Sequence, residues 1–134
     1  MEIVYYFDDV LVICPVKHYL YSIKLSHDRK LRLLAEIDQK IKFVAINNGR
    51  PTPPISLPLH NYNFFEIKSR KDKNTVIRIL YFRYKNVIVL LNAFEKPDNY
   101  TTNKERAAIE KYYETTNDYY RKFINNPNNY ERYQ

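Results

Sequence analysis

The sequence predicts an α+β domain organised on an antiparallel β-meander, and three observations carry that prediction. Three strand-like segments follow one another inside Phe64–Lys96: Phe64–Lys68, Thr75–Arg83 (TVIRILYFR) and Val87–Phe94 (VIVLLNAF). The second is rich in β-branched and aromatic residues, and the third is the near-continuous apolar run of a strand buried on both faces. Segments with helical spacing flank this block rather than interrupting it, giving the order β-α-α-β-β-β-α and favouring a meander with helices packed on one side. The length of 134 residues, 45% of them apolar, fits one domain with one modest core.

Ile3–Phe7 (IVYYF) reads as a first strand, interrupted by Asp8 and Asp9. Pro15 suits the first turn of a short helix, where its missing N–H costs nothing. Val16, Tyr19, Leu20 and Ile23 lie at helical spacing behind it. Ser26 or Asp28 caps a second helix, Asp28–Asn47, whose apolar stripe is Leu31, Leu34, Ile37 or Asp38, Ile41 and Val44. Glu36 and Lys40 are ordered for an i,i+4 pair. Asn48 and Gly49 supply a left-handed stop, followed by Pro51. This helix pair should cover one face of the sheet.

The proline-rich run 51–63 reads as a surface strap. Ser69–Asn74 is a charged turn, and Tyr84, Lys85 and Asn86 form a polar hairpin connection. Thr102 and Glu105 make a capping box. The helix behind it runs from Asn103 to Ile124 with a stripe of Ala108 or Ile109, Tyr112, Thr116, Tyr119 and Phe123. The domain is therefore expected over residues 1–124. Residues 125–134 (NNPNNYERYQ) are expected to be a polar, frayed tail that folding does not need.

Lys and Arg number 22 against 15 Asp and Glu, a net charge of +7. That balance favours an anionic partner such as RNA, DNA or an acidic protein, although it also serves solubility alone. Cys14 is the single cysteine, so neither an internal disulfide nor a cysteine-based zinc site can form, and a cytoplasmic location is expected. The N-terminus lacks a basic n-region, and the apolar run Val10–Val16 is too short to span a bilayer, so no membrane association is expected. One glycine in the chain excludes a glycine-rich phosphate loop and a dinucleotide fingerprint. His18, His27 and His60 are scattered without ligand spacing and read as structural or surface residues, so no metal or cofactor is expected.

Lys68, Arg78, Arg83 and Lys96 punctuate the strands with positive charge. Arg78 lies inside an apolar strand, where a charge is costly unless it meets an anion. That anion is either a ligand phosphate or Glu66 on the adjacent strand. By strand alternation Glu66 and Lys68 share a face, Arg78, Leu80 and Phe82 share another, and Ile88, Leu90, Asn92 and Phe94 a third. If these faces coincide, Glu66, Lys68, Arg78 and Asn92 converge on one patch with Lys96 on its rim. Tyr81 points away from Arg78 and belongs to the core. Most of the fourteen tyrosines, among them Tyr112 and Tyr119, fall on helix stripes and are explained by packing.

Element order and motifs together resemble the RelE/ParE superfamily, the toxins of type II toxin–antitoxin modules, and within it the phage-derived HigB-like toxins. Pro15-Val16 with Tyr19-Leu20 matches the first family motif, and Asn48-Gly49 ends the long helix in the family manner. Phe65-Glu66-Ile67-Lys68, Arg78-Ile79-Leu80-Tyr81-Phe82 and Ile88–Phe94 followed by Lys96 match the three strand motifs. The resemblance covers about residues 3 to 122. Asn92 stands where the family often has histidine, Ala93 replaces glycine, and Pro97 replaces a second lysine.

The resemblance implies a RelE-like fold and a metal-independent, ribosome-dependent mRNA endoribonuclease. In that reaction a ribose 2′-OH attacks the adjacent phosphate, which requires a base, an acid for the leaving 5′-oxygen, and positive charge on the phosphorane. Arg78 would stabilise the phosphorane. Glu66 or Lys68 would serve as base, and Lys96, Asn92 and Arg83 would hold RNA. It also implies a cognate antitoxin, a helix-turn-helix protein, alongside mRNA and ribosome as partners. The alternative is a catalytically inactive or ParE-like binding protein of the same fold that inhibits DNA gyrase. A third reading is a generic basic nucleic-acid-binding domain.

Overall fold

The computed structural model describes residues 1–133, so Gln134 of the expected tail lies outside the described residues. The chain runs β1 (Glu2–Tyr6), α1 (Pro15–Ser22), α2 (His27–Ile46), β2 (Ser56–Pro58), β3 (Phe65–Arg70), β4 (Thr75–Tyr84), β5 (Val87–Pro97), α3 (Asn103–Asn125) and β6 (Tyr130–Arg132). Six strands form one mostly antiparallel sheet in the order β2-β3-β4-β5-β1-β6, giving a mixed α+β architecture with three helices. The central β3–β4–β5 meander is antiparallel throughout. β1 joins it in parallel beside β5, with Ile3 opposite Ile88 and Val4 opposite Val89. Among the described residues, no helix is long and apolar enough to cross a membrane.

Two edge strands come from stretches with weak strand signals. Within the proline-rich strap, Ser56–Pro58 pairs with β3. Proline is tolerated there because only one side of an edge strand donates to a ladder. In the expected tail, β6 pairs antiparallel with β1. The tail is therefore not a frayed appendage. Tyr133 follows β6, packs against Tyr5 in a tilted pair with 5.3 Å between ring centroids, and donates its hydroxyl to Asp38 of α2.

α1 and α2 cover one face of the sheet, as expected, packing Val16, Leu20, Ile37, Ile41 and Val44 on Ile77, Ile79, Tyr81 and Leu90. α3 covers the opposite face, packing Ile109, Tyr113, Tyr119 and Phe123 on Leu80, Phe82, Val89 and Phe94. The expectation that the helices lie on one side is thus corrected for α3. β4 and β5 carry apolar side chains on both faces, and each face needs a cover.

The helix stripes hold over most of their length, with Ile37, Ile41 and Val44 of α2 and Ile109, Thr116, Tyr119 and Phe123 of α3 buried as expected, and each departs from expectation near its start. On α2, Leu33, Ile37, Ile41 and Val44 are buried and Leu31 is 53% exposed. On α3, Tyr113 is buried in place of Tyr112. The expected stops hold. Asn48 and Gly49 adopt φ of 60° and 77°, and the Gly49 amide donates to the Val44 carbonyl at 2.9 Å. The positive φ of Gly49 favours glycine, and a Cβ there would lie 2.7 Å from Cδ1 of Ile88 and 3.2 Å from Cβ of Arg83, so those side chains would have to shift as well. The Thr102 hydroxyl accepts from the Glu105 amide, and the Glu105 carboxylate reaches back to the Thr102 amide, completing the capping box.

Candidate functional site

A bulge in β5 decides which side chains meet on the α3 face. Leu80 pairs with Asn92 and Tyr81 with Leu90, which leaves Leu91 as an extra residue. Ahead of the bulge, Ile88 and Leu90 face α1 and α2. Beyond it, Asn92 and Phe94 face α3. The expected single face of Ile88, Leu90, Asn92 and Phe94 is therefore split, because one inserted residue reverses the alternation.

At the end of the sheet near the β3–β4 turn, Lys68 and Arg78 are direct cross-strand partners. Arg78 donates from a guanidinium Nη to Glu66 at 2.8 Å, with side-chain exposures of 14% and 7%. The second Glu66 oxygen accepts from the Tyr113 hydroxyl of α3 at 2.9 Å. Burial, and then the Glu66 carboxylate, push the Tyr113 phenol far above its ordinary value, so it remains a protonated donor at neutral pH. The Nε–H of Arg78 is buried without a hydrogen-bond partner among the described residues. Lys96 approaches from β5, its ammonium 5.4 Å from the Tyr100 ring centroid and 6.0 Å from that of Tyr113.

Lys68 and Arg78 line an open cleft of about 270 Å³ with Arg70, Val76 and Asp98. Arg70 holds Asp98 by two bonds of 2.8 and 3.1 Å. The hydrogen bond from Arg70, and the Arg70 and Arg78 charges, hold the Asp98 carboxyl below its usual value against partial desolvation. Lys68 forms no ion pair among the described residues. Like charges directly opposite each other on a sheet are destabilising. One Glu66 oxygen compensates Arg78 and nothing comparable compensates Lys68, so the cleft is suited to an oxyanion.

Glu66, Lys68, Arg78 and Lys96 thus meet at one corner. Asn92 and Arg83 do not join them. Asn92 is 8% exposed and committed to α3 through a 3.0 Å bond to the Thr116 hydroxyl, while its oxygen accepts from the Ala93 amide. Arg83 lies on the α1/α2 side, where its guanidinium donates to the carbonyls of Lys85 (2.7 Å) and Asn48 (3.4 Å). It differs from Arg78 by an odd number of residues on an unbroken strand, so it points to the other face. Tyr81 is fully buried and donates to the Gly49 carbonyl, consistent with a core role.

Sequence reasoning missed Tyr113, Arg70 and Asp98. A signal was present for Arg70 alone. Helical spacing admits Tyr112 on the stripe of Ile109, Thr116, Tyr119 and Phe123 at least as well as Tyr113, so periodicity did not point to Tyr113. Arg70 continues the alternation of Glu66 and Lys68. Asp98 lies beyond the last regular strand residue and had no periodic signal. No protein-family model, no curated protein and no solved structure matches the chain.

Proposed function

We propose that the chain is a RelE/ParE-like toxin of the HigB type that cleaves mRNA without a metal, acting on RNA presented by the ribosome. The observation that supports this most is the cross-strand Lys68–Arg78 pair in an open cleft, backed by Glu66 and Tyr113. A phosphodiester at that point meets two cations, with Lys96 on the rim for the neighbouring backbone. Charge fixed in place before the reaction stabilises the phosphorane that forms when the 2′-OH attacks and the 5′-oxygen leaves. Glu66 acts in this reading as a positioning residue, because both its oxygens already accept bonds that fix Arg78 and Tyr113. In the cell an antitoxin would cover the cationic corner, and the toxin would act in the cytoplasm.

The second reading, a non-catalytic or gyrase-inhibiting protein of the same fold, is favoured by one observation. The carboxylate and the phenol of the cluster are both committed: Glu66 accepts two hydrogen bonds and Tyr113 is held protonated, which leaves only lysines beside the phosphate. Induced expression followed by mapping of mRNA ends separates the two. The nuclease reading expects growth arrest with mRNA cleavage, both lost in an Arg78→Ala variant whose circular dichroism and melting match the parent. Losing such a contact lowers the rate on the order of a hundredfold or more. A folded Arg78→Ala protein that cleaves at the parental rate would refute the site. Arrest without cleavage, with DNA supercoiling inhibited, would establish the second reading.

A further inference from the structure

A second cationic cleft of about 390 Å³ lies on the other side of the β3 edge, lined by Arg29, Arg32 and Glu36 of α2 together with Arg70 and Lys71. Arg70 lines this cleft and the Lys68–Arg78 cleft alike, so it joins the two. Most charges at the junction are already compensated. Arg70 pairs with Asp98 at 2.8 Å and Lys71 with Glu95 at 2.8 Å. Glu36 accepts from the Ser69 hydroxyl at 2.7 Å and lies 3.8 Å from the Lys40 ammonium. Arg29 and Arg32 are exposed and have no ion-pair partner among the described residues. Spaced three apart on α2, they share one face and point uncompensated charge into the cleft.

Beyond Ile67, β3 has no strand paired outside it, although the Lys68 amide still donates to the Ile55 carbonyl and the Lys68 carbonyl accepts from Lys40 of α2. The two clefts meet around this edge at the exposed Arg70 side chain, which lines both. Cations then follow one another around this edge: Lys96, the unpaired Lys68 beside the Glu66-paired Arg78, and the unpaired Arg29 with Arg32. Such a path is longer than one phosphate. A positively charged groove that tracks a backbone is the usual means of holding a single strand regardless of sequence.

We propose that a single RNA strand of several nucleotides crosses the β3 edge, with one phosphate at Lys68–Arg78 and a later one held by Arg29 and Arg32. This inference rests on the nucleolytic reading and adds the part of the substrate that lies away from the cut. Arg29 and Arg32 bind there without touching the reacting phosphate, so they determine affinity for long RNA and not the chemistry of cleavage.

The test is binding of fluorescent 2′-O-methyl RNA, which cannot be cut, measured by anisotropy over a range of salt. The ligands are a dinucleotide and a ten-nucleotide strand. The proteins are the parent, the Arg29→Ala/Arg32→Ala double variant and Lys68→Ala, each checked for an unchanged melting curve. The double variant is expected to bind the long strand several-fold more weakly, with a salt slope shallower by about 1. Its dinucleotide binding is expected to equal the parent's. Lys68→Ala is expected to weaken both. An unchanged long-strand affinity and slope in the double variant, with Lys68→Ala impaired, would overturn the path and leave the cleavage site standing. A defect in the double variant alone would also overturn it, since the α2 cleft would then be a separate site. No effect of either variant on RNA binding would remove both the path and the nucleolytic reading beneath it.

Discussion

Arg78 and Arg83 belong to the same strand, yet the two faces of the sheet treat them differently. Arg78 lies under the edge of α3, 14% exposed, on a carboxylate that α3 itself holds through Tyr113. Arg83 lies on the α1/α2 face, exposed, and donates to the carbonyls of Asn48 and Lys85. A guanidinium at the end of a helix meets partial negative charge and open solvent together, and needs no carboxylate. A guanidinium between two strands and a helix loses most of its water and must be given an anion. The contrast shows why residue type alone is a poor guide to a site: burial and the partner decide what the charge can do.

The largest effect expected from breaking this contrast is at Glu66. Glu66→Ala leaves Arg78 buried without its anion and should cost about 3–5 kcal/mol in urea unfolding. Replacing Glu66 and Arg78 together by methionine should recover most of that loss, because no unpaired charge remains. A Glu66→Ala cost below about 1 kcal/mol, the range of exposed pairs, would show that Arg78 is hydrated rather than buried.

The next effect concerns what seals the α1/α2 face. Deleting residues after Asn126 removes β6 and the Tyr133 ring packed on Tyr5. The cost should be about 2 kcal/mol, from lost apolar burial and the aromatic pair, and should appear as a lower melting temperature. RNA binding at the Lys68–Arg78 cleft should persist, since the deletion lies on the other side of the sheet. A deletion variant that melts with the parent would return these residues to the role of a frayed tail.

A smaller, pH-dependent effect tests the far end of the α3 face. Asp8 is 1% exposed and accepts from the Tyr6 hydroxyl at 2.6 Å, the Leu11 amide at 2.8 Å and the Lys122 ammonium of α3 at 3.1 Å. Burial pushes its carboxyl up, but the Tyr6 and Leu11 bonds and Lys122 outweigh it and hold the carboxyl below its ordinary value. A depressed carboxyl contributes stability that is present above the unfolded value, about 3.9, and is lost as pH falls through the folded one. The parent should therefore lose stability steeply below about pH 4, and Asp8→Asn should be less stable at neutral pH with a flatter acid limb. Equal slopes would show that other carboxylates dominate acid unfolding.

The smallest effect is expected at Arg83. Arg83→Ala removes two bonds on an exposed side chain and should change stability by about 0.5 kcal/mol or less, with RNA affinity unaltered. A clear loss of RNA affinity would return Arg83 to the binding surface and blur the contrast with Arg78.

Much of the architecture was legible locally. TVIRILYFR and VIVLLNAF marked β4 and β5, Thr102 and Glu105 marked the start of α3, and Asn48-Gly49 marked the end of α2, because each feature is set by residues within one turn or hairpin. The meeting of Glu66, Lys68 and Arg78 was legible only as a condition, that the strand faces coincide, and the β3–β4 register decided it. Tertiary structure alone decided the rest. The Leu91 bulge reversed the alternation of β5, sending Asn92 under α3 and dividing it from Ile88 and Leu90. Hydrogen-bond partners from the opposite end of the chain made a strand of Tyr130–Arg132, in which Tyr130 alone carries a strong strand preference. The helices covered both faces because β4 and β5 are apolar on both, and only packing determined that Tyr113, rather than Tyr112, would meet Glu66. Periodicity is a property of neighbours along the chain, whereas the anion beside Arg78 is chosen by neighbours in space.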